Sequence, residues 1–173
     1  MREIGAGERY YEGRPGEIAI LTEKPRADFV SLITERDIRR RLAPNRFPSK
    51  YLSRVSVIVI AAGNKRRARY HAWGMQWGST IYLYPVPRES MQNLNWELDR
   101  AMTPREQQEA RKCGAIIRDS GRAIHWTVDT LRRFYLENIL IHEIGHCVDY
   151  WNHRAVDRER FAEHFADRFG FRA

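Results

Sequence analysis

Apolar and polar residues fall along this chain in short, separable blocks, strand-like first and helix-like last. Glu17 to Thr22 (EIAILT) is an apolar run of strand length. Phe29, Leu32, Ile33 and Ile38, spaced among arginines after Pro25, predict a helix over about 27–42, which Pro44 and Pro48 close. Arg54 to Ala62 (RVSVIVIAA) has the density of β-branched residues expected of a central strand, and Gly63-Asn64 marks a turn after it. Residues 68–73 and 79–86, aromatic and β-branched, predict a hairpin around a Gly74 to Gly78 loop. The glycine-rich residues 1–16 read as irregular.

Farther on, Thr103-Pro104-Arg105-Glu106 is a capping box with proline at the first helical position, and it predicts a helix ending near Gly114. Ile116-Ile117, the Asp119-Ser120-Gly121 turn and Ala123 to Val128 predict a second small hairpin. From Asp129 as N-cap the period becomes helical, with Leu131, Phe134, Leu140, Ile141, Ile144 and Val148 apolar as far as about Tyr150. The polar stretch Asn152-His153-Arg154 separates it from a last helix over about 155–169. Strands followed by helices predict an α+β fold in a single domain spanning 1–173. Within it, residues 1–50 are an N-terminal extension of one strand and one helix, packed on a core of 51–173 with a small mixed or antiparallel sheet.

Composition narrows the class. At 173 residues the chain is the size of one ordinary domain, and 43% hydrophobic with 30% charged residues excludes disordered and fibrous classes. The longest apolar run, Val57 to Ala62, is far short of the ~20 residues a membrane helix needs. The first residues lack the apolar stretch of a signal peptide. The two cysteines, Cys113 and Cys147, provide no disulfide framework. The expectation is a cytoplasmic protein with no membrane partner.

The net charge of +8 attracts phosphates and acidic surfaces non-specifically. Its 26 arginines and four lysines cluster at Arg39–Arg41, at Lys65–Arg69 and at Arg132–Arg133. No zinc-knuckle spacing, phosphate-cradling glycine loop or RNA-binding consensus accompanies them, so nucleic acid is the less favoured partner.

His142-Glu143-Ile144-Gly145-His146 is an HExxH on a predicted helix. The spacing stacks two imidazoles one turn apart with the glutamate beside them, as a zinc ion with an open position and a general base requires. With six His and 14 Glu in the chain, about 0.02 such matches are expected by chance. Glu159 on the last helix is the candidate third ligand: Ala162 and Ala166 lie within about 60° of it at ~100° per residue, so a second helix can approach closely there. A metzincin site would need histidine at Asn152. Cys113 has no recognisable ligand context, and Cys147 points away from His146, as a packing residue would.

HEIGHCVDY followed by ERFAEHFADRF resembles the zinc peptidases of the gluzincin type that include the lethal-factor-like endopeptidases, with HExGHxxD and then a helix bearing E-x-F-A-E. The resemblance covers about residues 139–169. It implies a zincin-like domain whose C-terminal helix pair carries Zn2+, and zinc-dependent hydrolysis of peptide bonds. His142, His146 and Glu159 would be ligands and Glu143 the general base. Glu163 would support a ligand histidine, and Asp149 would play a structural or supporting role. The tyrosine such enzymes place shortly before the glutamate helix is missing here. His153 is the expected oxyanion donor in its place, with Tyr150 the other candidate. Tyr82 and Tyr84, alternating on one strand, are expected to line the peptide groove, and the five tryptophans to be core or rim. The reading is an endopeptidase acting on a specific protein or peptide. The alternative is a basic module that binds nucleic acid or protein around a structural or vestigial zinc site. Oligomeric state is not written in the chain.

Overall fold

A computed structural model describes residues 3–4, 8–14, 17–69 and 72–171. In chain order the strands are β1 (Glu3–Ile4), β2 (Glu8–Arg9), β3 (Ala19–Thr22), β4 (Phe29–Val30), β5 (Val57–Ile60), β6 (Gly74–Trp77), β7 (Thr80–Leu83), β8 (Val86–Pro87), β9 (Asn95–Glu97), β10 (Ile116–Arg118) and β11 (Ala123–His125). The helices are α1 (Glu35–Arg41), α2 (Lys65–Arg69), α3 (Arg88–Gln92), α4 (Pro104–Lys112), α5 (Val128–Phe134), α6 (Leu140–Val148) and α7 (Ala155–Phe169). The fold is mixed α+β, with small sheets and helices gathered at the C-terminal end. No helix among the described residues is long and apolar enough to cross a membrane.

The main sheet has the order β3-β5-β7-β6. Its first three strands are parallel, and β6 closes one edge antiparallel to β7, in register Gly74 to Leu83 and Trp77 to Thr80. β3 lies within this sheet, paired directly to β5. Because side chains alternate across a strand, Ile58, Ile60, Ile81 and Leu83 face one side, where they pack with the helices in the larger core. Val57, Val59, Tyr82 and Tyr84 face the other side and pack with Tyr10, Tyr11, Leu21 and Met75. A sheet covered on both faces explains why β5 is apolar throughout rather than alternating.

Several elements differ from their sequence-based expectation. The region predicted as one helix over 27–42 is split. Phe29–Val30 pairs with β8, and α1 starts only after Thr34, whose hydroxyl accepts from Asp37 N while Asp37 accepts from Thr34 N. Residues 49–54 form a 3-10 helix, so the central strand is shorter than Arg54 to Ala62. The predicted loop Gly74 to Gly78 is the edge strand β6, and the turn falls at Gly78-Ser79. The expected strand over 68–73 meets α2 at its start, and its positions 70 and 71 lie outside the described residues, as do parts of the stretch 1–16 read as irregular. The long C-terminal helical run is capped by Thr127 rather than Asp129. It contains a π-helical turn, Tyr135–Ile139, between α5 and α6. Such insertions re-aim the face that follows them.

Two features set α7 against α6. A Cβ at Gly145 would lie 2.9 Å from Ala162 Cα and 3.1 Å from Phe165 Cβ, so only glycine allows the helices this close. At the far end the buried Arg41 donates to the carbonyls of Phe169 (2.6 Å) and Gly170 (3.1 Å) and to Glu137 (2.8 Å), so a cation meets the negative end of the helix dipole.

Candidate metal centre

α6 carries His142 and His146 one turn apart on one face, and the close α6–α7 crossing brings Glu159 over them. The two Nε2 atoms are 3.1 Å apart, and each lies 3.4 Å from a carboxylate oxygen of Glu159. Ligands at zinc bond lengths of ~2.0–2.1 Å stand ~3.3 Å apart along the edges of a tetrahedron. The observed triangle has those edges, and its donors, two imidazoles and a carboxylate, are those zinc takes. The residues present therefore fit the ion. Hydrogen bonds from His142 and His146 hold the Glu159 carboxyl well below the usual carboxylate range, against a smaller opposing effect of burial.

Glu143 follows His142 and turns inward. Burial pushes its carboxyl up to about 7, opposed by His142 and reinforced by Glu159. Its carboxylate lies against Gly74, where an added Cβ would come 2.7 Å from Oε1. β6 therefore passes directly over the glutamate because its first residue has no side chain. Gly74 and Gln76 share the face of β6 turned toward the helices, and Arg158 Nη2 donates to Gln76 Oε1 at 3.1 Å. His142, Glu143, His146, Glu159, Arg158 and residues 74–76 line one cleft of about 390 Å³.

The structure brings together His142, Glu143, His146 and Glu159, and places the other candidates elsewhere. Glu163, expected behind a ligand histidine, instead pairs with Arg105 Nη1 at 3.1 Å, the arginine side chain reaching from α4 to α7. Asp149 is buried at the end of α6, where its carboxylate accepts from the backbone and side chain of Asn152 and so shapes the turn into α7. His153 is exposed and does not line the cleft. Tyr150 is 65% exposed, with the Arg54 guanidinium 4.2 Å over its ring. Tyr82 and Tyr84 are buried and do not line this cleft. The alternation of β7 puts both on the sheet face away from α6, where Tyr82 donates to the Arg9 carbonyl. Cys113 and Cys147 are buried free thiols, each pushed up to about 12 by burial. Trp73, Trp96 and Trp126 join the core, whereas Trp77 and Trp151 are exposed.

Among the cleft residues that escaped the sequence reading are Gly74, Gln76 and Arg158. For the first two the signal was present, since Gly74, Gln76 and Gly78 fall on alternate positions beside Met75 and Trp77, but the glycines read as a loop. Arg158 adjoins Glu159 and was hidden among 26 arginines. No protein-family model, curated protein or solved structure matches this chain.

Proposed function

We propose that this protein is a zinc-dependent endopeptidase with a zincin-like site, hydrolysing peptide bonds in a specific protein substrate. The observation that carries the reading is the triangle of His142, His146 and Glu159 donors with the buried Glu143 carboxylate in the same cleft. The resemblance of the two helices to the lethal-factor-like endopeptidases supports it.

His142, His146 and Glu159 would hold the ion. When bound, zinc supplies Lewis acidity that makes water nucleophilic near neutral pH and polarises a carbonyl. Glu143 takes the proton of the attacking water at its carboxylate. It then delivers that proton to the amide nitrogen as the carbon–nitrogen bond breaks, releasing an acid and an amine. β6 is an edge strand beside Glu143, so an extended peptide can add to its outer edge by backbone hydrogen bonds. The nucleic-acid alternative draws less support, because Arg39, Arg40, Arg41 and Arg132 of the basic clusters are each engaged by a carboxylate.

Metal analysis of the purified protein, followed by cleavage of a fluorogenic peptide library, tests the reading. One zinc per chain, with cleavage abolished by chelation and restored by zinc, is expected. A chain that takes up no zinc, or a zinc-loaded chain that cleaves nothing in the library, overturns it.

A further inference from the structure

The expected oxyanion donors do not reach the cleft, yet an unassigned cation does. Arg158 precedes the ligand Glu159, and its side chain crosses the cleft wall to Gln76 on β6, so it spans from the metal-binding helix to the edge strand. Its Nε is buried with no hydrogen-bond partner, and no carboxylate among the described residues pairs with it. Nε is closed off from the cleft, but Nη1 of the same guanidinium is neither buried nor hydrogen-bonded, so it can meet an acceptor that arrives with the substrate. We infer that Arg158 donates to the oxygen of the scissile carbonyl, the task for which the peptidases this chain resembles use a tyrosine.

The inference rests on the metallopeptidase reading. As water attacks the carbonyl carbon, the π-electron pair of the carbonyl moves onto its oxygen. A guanidinium held in the cleft stabilises that developing charge without having to reorganise. Gln76 positions the group by accepting from Nη2, which leaves Nη1 for the substrate.

The test compares zinc-loaded wild type, Arg158→Gln, Arg158→Lys, Gln76→Met and Arg160→Gln, the last being an exposed arginine of α7 that lines no part of the cleft. Phenylphosphonate, a tetrahedral oxyanion, is titrated into each by calorimetry, alongside zinc content and thermal unfolding. Arg158→Gln should bind the phosphonate ~10- to 100-fold more weakly at unchanged zinc content. Arg158→Lys should fall between the two, and Arg160→Gln should match wild type. On a cleaved peptide, Arg158→Gln should lose ~10²- to 10³-fold in kcat with little change in KM. Wild-type protein that takes up no zinc overturns the metal reading and this inference with it. Zinc-loaded protein that binds phosphonate equally well with and without Arg158, or not at all, overturns the inference alone. So does a loss in Gln76→Met as large as that in Arg158→Gln, because Arg158 would then serve only to brace the helix to the strand.

Discussion

The first half of α7 and its second half carry the same glutamate–alanine pattern and meet different surroundings. In the first half Glu159 keeps a 59% exposed side chain and faces two imidazoles, while Arg158 reaches the edge strand. In the second half Glu163 and Asp167 are held by Arg105, and Lys112 adds a second partner to Asp167. Phe165 and Phe169 sink into a cluster of rings with Phe47 and Tyr51, and Arg41 clamps the final carbonyls. One half is anchored and the other is left open to a cleft. The comparison teaches that a carboxylate on a helix takes its role from the element opposite, here α6 for Glu159 and α4 for Glu163.

The severest strain on this division comes from Glu143→Gln. If Glu143 and the first half of α7 form one site, the variant keeps its zinc while peptide hydrolysis falls ~10²- to 10⁴-fold. Most of the activity surviving, measured on a cleavable peptide, would place the base elsewhere. The next effect separates the halves directly. In competition with a chromogenic chelator, Glu159→Ala should lose zinc affinity by more than the ~100-fold that removal of an outer partner costs. Glu163→Ala should keep wild-type affinity, since its partner is Arg105. A weakening in Glu163→Ala comparable to that in Glu159→Ala would dissolve the distinction.

Gly145→Val tests the contact on which both halves depend. Crowding Ala162 and Phe165 should cost ~1–3 kcal/mol in denaturant unfolding and weaken zinc binding as Glu159 is pushed off the imidazoles. Unchanged stability would mean that the helices part freely. The smallest effect concerns α4, which supplies Arg105 to the second half. Arg100 and the Thr103 cap hold the Glu106 carboxyl down at about 2, against opposing burial. Stability from this group is complete above its unfolded value of about 4.5 and is lost as pH falls through about 2. Glu106→Gln should therefore lower stability near neutrality, flatten part of the acid limb between those values and converge on wild type below about pH 2. A mutant curve parallel to wild type over that window would remove the cap from the account.

Local patterns in the chain were sufficient for α7, whose bounds agree with the expected 155–169, for the capping box that opens α4, and for the adjacency of His142, Glu143 and His146. Each depends on backbone period or on hydrogen bonds within a few residues, so the information lies within one turn or cap. The small residues Ala162 and Ala166 likewise signalled a close helix approach before any partner was in view. Tertiary structure decided the rest. Gly74 became part of a strand because a neighbouring strand and the Glu143 side chain accept a residue without Cβ there. Tyr82 and Tyr84 went into the core because the sheet is covered on both faces, whereas alternation alone distinguishes the faces without saying which is wet. Glu159 and Glu163 share a helix face four residues apart, and only the placement of α6 near one and of Arg105 near the other set two imidazoles against the first and an arginine against the second. Periodicity sets which side chains share a face of an element, while the element lying against that face is chosen by packing between residues far apart in the chain.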